Sequence, residues 1–187
     1  MKAQLFLNNF KQTNSNPLFT KFVEGYFNEE MFVYDGFELS FNSSDVIQHW
    51  ISADKLLQYK NQFIVFGQAT HSGSLLGFYR KETHQNFEDC PIVVFGDEGG
   101  VLTLAKNFRS FLQFCSLHLA PYISHNYDEF DLFVEEEIEE SDVVAFYSFL
   151  EKFGIERVGN IEGVKSSIIR PAIEEYQKEV NEIFDIE

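Results

Sequence analysis

Hydrophobic positions along this chain change period several times, and each change marks an element. From Pro17, the apolar residues Leu18, Phe19, Phe22, Val23, Tyr26 and Phe27 recur at helical spacing, predicting a helix from about Pro17 to Glu29. Met31-Phe32-Val33-Tyr34, then Asp35-Gly36, then Phe37-Glu38-Leu39-Ser40-Phe41 has the form of a tight hairpin: two short β-rich runs around a two-residue turn. Ser43-Ser44-Asp45 and Ser52-Ala53-Asp54 offer caps for two short helices, which carry Val46, Ile47 and Trp50, and Leu56, Leu57 and Tyr59.

Strand-like runs resume at Gln62-Phe63-Ile64-Val65-Phe66 and Ser74-Leu75-Leu76-Gly77-Phe78-Tyr79, joined by a Gly-bounded connection. The continuous apolar run Ile92-Val93-Val94-Phe95 is what a strand covered on both faces requires, and Val101-Leu102-Thr103-Leu104 reads as a further strand. Ala105, Phe108, Phe111, Leu112, Cys115 and Leu119 then step by three or four, the period of a helix with one buried face, with Pro121 as its expected end. Strands closed by one well-formed helix predict an α+β plan, a mostly antiparallel sheet with helices packed on it.

From Tyr127 the texture changes. Phe130, Phe133, Val134 and Ile138 predict one side of a helix whose other side is acidic, and Ser141-Asp142 is read as the cap of a helix bearing Val143, Phe146, Tyr147, Leu150 and Phe153. Residues 158–164 read as a loop, and a last helix is expected from roughly Pro171 to Phe184. The expected organisation is an α+β domain over residues 1–126 and an acidic helical extension over 127–187 docked on it.

Charge narrows the function classes. The chain carries 14 Lys and Arg against 30 Asp and Glu, a formal net charge of −16. Such a field repels nucleic-acid phosphates and anionic lipid heads, so neither nucleic acid nor membrane is an expected partner. Residues 127–187 hold 18 of the acidic side chains and 5 basic ones, so the acidity belongs to the C-terminal third. No apolar run is long enough to cross a bilayer, and a cytoplasmic protein is expected. Cys90 and Cys115 lack CxxC spacing and are read as buried free thiols in a reducing compartment.

The acidic knot Gly96-Asp97-Glu98-Gly99-Gly100 has neither the Gly-Lys-Ser/Thr of a phosphate loop nor a GxGxxG fingerprint. Two carboxylates at its centre oppose a phosphate: at ~4 Å and an effective dielectric of about 20, each such contact is unfavourable by roughly 4 kcal/mol. Two adjacent acids also fall short of the alternating oxygen ligands of a calcium loop. The knot is read as a turn in which glycines supply positive φ, and no metal or cofactor is expected. His49, His71, His84, His118 and His125 form no HxH or HExxH pattern. The enzyme alternative is a small hydrolase centred on His71, Ser72 and Asp97. The non-enzymatic reading makes the acidic block a recognition surface for a basic protein: Glu135, Glu136, Glu139 and Glu140 first, Asp97 and Glu98 second.

Three stretches, taken together, carry a family likeness: Phe66-Gly67-Gln68-Ala69-Thr70-His71-Ser72-Gly73-Ser74-Leu75-Leu76-Gly77-Phe78, Cys90-Pro91-Ile92-Val93-Val94-Phe95-Gly96-Asp97-Glu98-Gly99, and Leu104-Ala105-Lys106-Asn107-Phe108-Arg109-Ser110-Phe111-Leu112. Their order and spacing resemble the SUKH superfamily over about Phe32 to Leu119. The resemblance implies a protein-binding module and not an enzyme: bacterial members are associated with immunity proteins that bind and neutralise nuclease or other toxins, and fungal members with regulation of cell-wall synthesis. An acidic protein suits the first role, because a nuclease carries a basic substrate groove that opposite charge can occupy quickly. An intracellular regulatory scaffold without a toxin partner is the other non-catalytic alternative.

Overall fold

The computed structural model describes residues 2–10, 17–41, 44–82, 85–133 and 138–186. It is an α+β fold. Five strands, β1 (Glu38–Leu39), β2 (Phe63–Gln68), β3 (Leu75–Tyr79), β4 (Ile92–Phe95) and β5 (Val101–Ala105), form an antiparallel sheet in sequence order, each pairing with the next. A separate hairpin pairs β6 (Ala120–Ile123) with β7 (Phe130–Phe133).

Both faces of the main sheet are dry, which is why β4 reads as an unbroken apolar run. Phe66, Leu76, Phe78, Ile92, Val94 and Leu104 face the larger core, shared with α1 (Lys2–Leu7), α2 (Pro17–Asn28), α4 (Phe108–Cys115) and α5 (Glu140–Lys152). Phe63, Val65, Tyr79, Val93, Phe95 and Val101 face a smaller cluster with Ile47 and Ile51, which α3 (Ala53–Tyr59) adjoins through Leu56 and Tyr59. Phenylalanine does much of the filling: Phe19 meets Phe66, Phe78 and Phe108 edge-on at centroid separations of 6.1, 5.3 and 5.2 Å. The N-terminus of α4 is capped by Asn107, whose side chain accepts from the Ser110 N–H at 2.9 Å.

The C-terminal helical segment, 161–184, links the two cores. Its first half, through Val164, Ile168 and Ile169, enters the larger core; its last turns, Lys178–Phe184, place Val180, Ile183 and Phe184 in the smaller one. Between them it runs along β5. There the Gln177 side chain acts like a missing strand: its amide nitrogen donates to Val101 O at 2.8 Å and its amide oxygen accepts from the Thr103 N–H at 2.7 Å. One side chain thus satisfies two backbone groups on the free edge of β5, a strand buried along its length. Three lysines of the sheet side pin the same helix: Lys55 to Asp185 and Lys106 to Glu175, each at 2.5 Å, and Lys81 to Glu179.

Several sequence expectations need correction. Met31 to Tyr34 do not form a strand: Met31, Val33 and Tyr34 are buried in the larger core, and the Asp35-Gly36 turn leads into β1, which pairs with β2 instead. Gly36, at φ +83°, lies so close to the 70–71 backbone that a Cβ would fall 2.7 Å from the His71 nitrogen. The α4 helix ends at Cys115, well before Pro121, and Ala105 belongs to β5. Pro121 lies in β6, which pairs only with β7, so its missing N–H breaks no second ladder. Phe130–Phe133 is a strand and not a helix, since its partners are 120–123.

The α5 helix begins at Glu140, with Glu139 and not Ser141-Asp142 at the cap position. The last helix starts at Ile161, capped by Asn160, whose side chain accepts from the Gly163 N–H at 2.8 Å; residues 161–164 are therefore helical and Pro171 is interior. The turn before the proline is widened to a π segment, Lys165–Ile169, with the Arg170 N–H reaching Lys165 O. A widened turn relieves the contact between a proline ring and the preceding carbonyls that would otherwise break the helix.

Candidate interaction face

Three connections meet at one end of the sheet: the β2–β3 loop, the β4–β5 turn and the β6–β7 turn. The knot at 96–100 is a hairpin turn, with Gly96 N–H donating to Gly100 O and Gly99 N–H to Gly96 O, both at 3.1 Å. Gly99 and Gly100 supply the positive φ, 116° and 75°. Neighbours fix the turn from three directions. The Trp50 indole N–H donates to Gly96 O at 2.8 Å, Tyr127 Oη–H donates to Glu98 O at 3.0 Å, and Ser74 Oγ–H donates to Asp97 Oδ1 at 2.7 Å while accepting from the Asp97 N–H at 3.2 Å.

Tyr127 is the unusual member. Its φ is +60°, left-handed backbone that a bulky residue adopts at a strain of about 1–2 kcal/mol. Its N–H closes a turn onto Ser124 O at 2.9 Å, and its ring lies over Gly99 and Gly100; a Cβ at Gly100 would come within 2.8 Å of the ring. The side chain is nevertheless 40% exposed. A pocket of about 220 Å³ opens beside it, lined by Ser72, Asp97, Glu98, Tyr122, Ser124 and Tyr127 among others.

Each member of the His71, Ser72 and Asp97 trio has a hydrogen-bond partner outside the trio. His71 Nε2 faces Asp35 Oδ1 at 2.8 Å, Ser72 Oγ and Thr70 Oγ1 are 2.8 Å apart, and Asp97 is held by Ser74. Ser72 and Asp97 share the pocket beside Tyr127, whereas His71 lines a different one with Asp35 and Gly36. Burial pushes the Cys90 thiol up to about 12 and Cys115 well above the ordinary thiol range, so neither is a ready nucleophile. Among the described residues, no group of three or more His, Cys, Asp or Glu could hold a metal ion, and no helix is long and apolar enough to cross a membrane.

Of the acidic block, Glu135 and Glu136 lie outside the described residues. Glu139 and Glu140 are exposed at the N-terminus of α5, where negative charge complements the helix dipole. An open groove of about 700 Å³ follows the same helix, with Glu140, Glu151 and Glu156 around Val144 and Tyr147, and the Arg157 guanidinium lies 4.1 Å from the Tyr147 ring centre. Among the described residues, none of Asp97, Glu98, Glu139 and Glu140 is in an ion pair.

In the sequence Trp50 and Ser74 read only as parts of a helix and a strand, and nothing there marks them or Tyr127 as members of a site. Tyr127 follows Asn126 in a polar stretch and carries no periodic signal; only the close approach of two glycines betrays an aromatic above them.

Compared with protein-family models, with curated proteins and with solved structures, the chain gives no match.

Proposed function

We propose that this protein is a non-enzymatic, cytoplasmic binding module that captures a basic protein through carboxylates left without cationic partners. The observation that carries the reading is the contrast in pairing. In residues 138–186 every acidic side chain but Glu179 is exposed, and the ion pairs formed there go to Glu175, Glu179 and Asp185 on the C-terminal helix. Glu139 and Glu140, and Asp97 and Glu98 at the sheet end, are exposed and are in no ion pair among the described residues. Like charge held on a rigid scaffold destabilises the folded state and speeds association with an opposite surface. The partner chemistry that fits is a basic groove such as a nuclease presents, and the resemblance to the SUKH superfamily supports a toxin-neutralising immunity role by occlusion.

The test is capture followed by measurement. Proteins retained by the purified chain are identified, the tightest is purified, and its association rate is followed from 50 to 300 mM salt. A basic partner whose association slows as salt rises, and whose binding is lost when Glu135, Glu136, Glu139 and Glu140 are reversed to lysine, agrees with the reading. A partner of neutral or acidic character, or affinity retained by the reversed variant, removes the acidic-surface mechanism.

A further inference from the structure

The pocket beside Tyr127 has a chemistry narrower than negative charge. It is lined by two acidic residues, Asp97 and Glu98, two serines, Ser72 and Ser124, and two tyrosines, Tyr122 and Tyr127, among others. Asp97 is pre-set: Ser74, itself buried, donates to Oδ1 at 2.7 Å, which fixes the carboxylate and leaves Oδ2 to a visitor. No ion pair among the described residues neutralises Asp97 or Glu98. The Tyr127 ring is held in place by strained backbone and by its bond to Glu98 O, yet stays exposed, so it is positioned without being used for the core.

Anions are repelled from such a pocket, and a neutral apolar group would strip water from two carboxylates without replacing it. A compact ammonium meets the charge but offers no plane to the rings. A guanidinium meets both demands, stacking flat on an aromatic face while its forked N–H groups reach carboxylate oxygens. We propose that this pocket anchors one arginine side chain of the basic partner, with Asp97 and Glu98 receiving the guanidinium and Tyr127 covering its face. The proposal rests on the protein-binding reading above and names where that partner's central contact falls. An aromatic beside a desolvated charge pair is the usual composition of an interface hot spot.

The test is an NMR titration of the full-length, isotope-labelled chain with the blocked tripeptide acetyl-Gly-Arg-Gly-amide, and with its lysine and norleucine counterparts. Saturable shifts of the 97–100, 124 and 127 amides are expected. The arginine peptide should bind at least about threefold tighter than the lysine one, and the norleucine peptide should give no response. Asp97→Asn with Glu98→Gln should abolish the response, Tyr127→Leu should weaken it, and Tyr127→Phe, which keeps the ring if Leu loosens the turn, should retain most of it. Glu175→Gln, which removes a carboxylate already paired with Lys106, should leave it unchanged.

Equal response to arginine and lysine, shifts centred on α5, or no shifts at tens of millimolar peptide would each overturn the pocket; shifts on α5 would leave the broader acidic-surface reading standing. Arginine binding at the turn by a chain that captures no basic protein would uphold the pocket and remove the functional reading instead.

Discussion

Carboxylates on the C-terminal helix and carboxylates at the sheet end have the same chemistry and opposite circumstances. Burial alone would raise Glu179, but hydrogen bonds from Lys81 and Tyr79 hold it below the usual carboxylate range, and a hydrogen bond from Lys106 does the same for Glu175. Asp185 meets Lys55. Asp97 and Glu98 face the same solvent with only a serine hydroxyl between them. The 30 acidic side chains are therefore not all candidate binding surface: three of them tie a helix to a sheet, while Asp97, Glu98, Glu139 and Glu140 face outward unmatched.

Four changes sharpen or break this contrast. The largest effect is expected from Phe184→Ala. Phe184 packs on Phe63 and Phe95 at centroid separations of 5.0 and 5.7 Å, and its loss should destabilise the fold by about 4 kcal/mol in urea titration. A loss below about 1 kcal/mol would mean the helix is held by its ion pairs and not by its apolar face. Next, Gln177→Ala orphans the buried Thr103 N–H and Val101 carbonyl and should cost about 2 kcal/mol by the same titration; an unchanged midpoint would mean that the helix needs no bond to the strand edge.

Acid comes third. Because Glu175 and Glu179 are held below their unfolded values, their stabilisation is complete above the unfolded carboxylate pKa of about 4.3 and is lost as pH falls through the lower folded values. Both groups are partly or fully exposed, so screening keeps the contribution below about 1 kcal/mol for Glu179. Urea midpoints from pH 6 to 3 should fall less steeply in Glu175→Gln with Glu179→Gln than in the parent; parallel slopes would deny the helix carboxylates their cohesive role. The smallest stability effect belongs to Asp97→Asn with Glu98→Gln, expected within about 0.5 kcal/mol of the parent by the same titration. A loss of several kcal/mol would make the turn acids structural and erase the contrast.

Much of the scaffold was legible because local period and local structure agree. Leu18 to Phe27 form the expected helix, and Ile92 to Phe95 the doubly covered strand. The failures are places where a distant partner decided. Phe130 and Phe133 suit either a helix stripe or a strand, and pairing with Ala120 to Ile123 chose the strand. Met31 to Tyr34 have strand composition, but burial of three of their side chains in the aromatic core left β1 to pair with β2. Pro171 looked like a helix start because the π turn that accommodates it has no signature in residue type. At the candidate site, Asp97 and Glu98 were readable from the knot itself. Tyr127 and Ser74 were not, since their importance comes from contacts 23 to 29 residues away in sequence.

In the proposed function, unpaired carboxylates bind the partner and paired ones hold the fold together. Its most direct test compares two charge-removal variants on one captured partner by calorimetry at fixed salt: Asp97→Asn, Glu98→Gln, Glu139→Gln and Glu140→Gln together, against Glu175→Gln, Glu179→Gln and Asp185→Asn together. The first set should lose at least about a hundredfold in affinity at near-parent stability, and the second should keep near-parent affinity. Undiminished affinity in the first set, or a larger loss in the second, would contradict it.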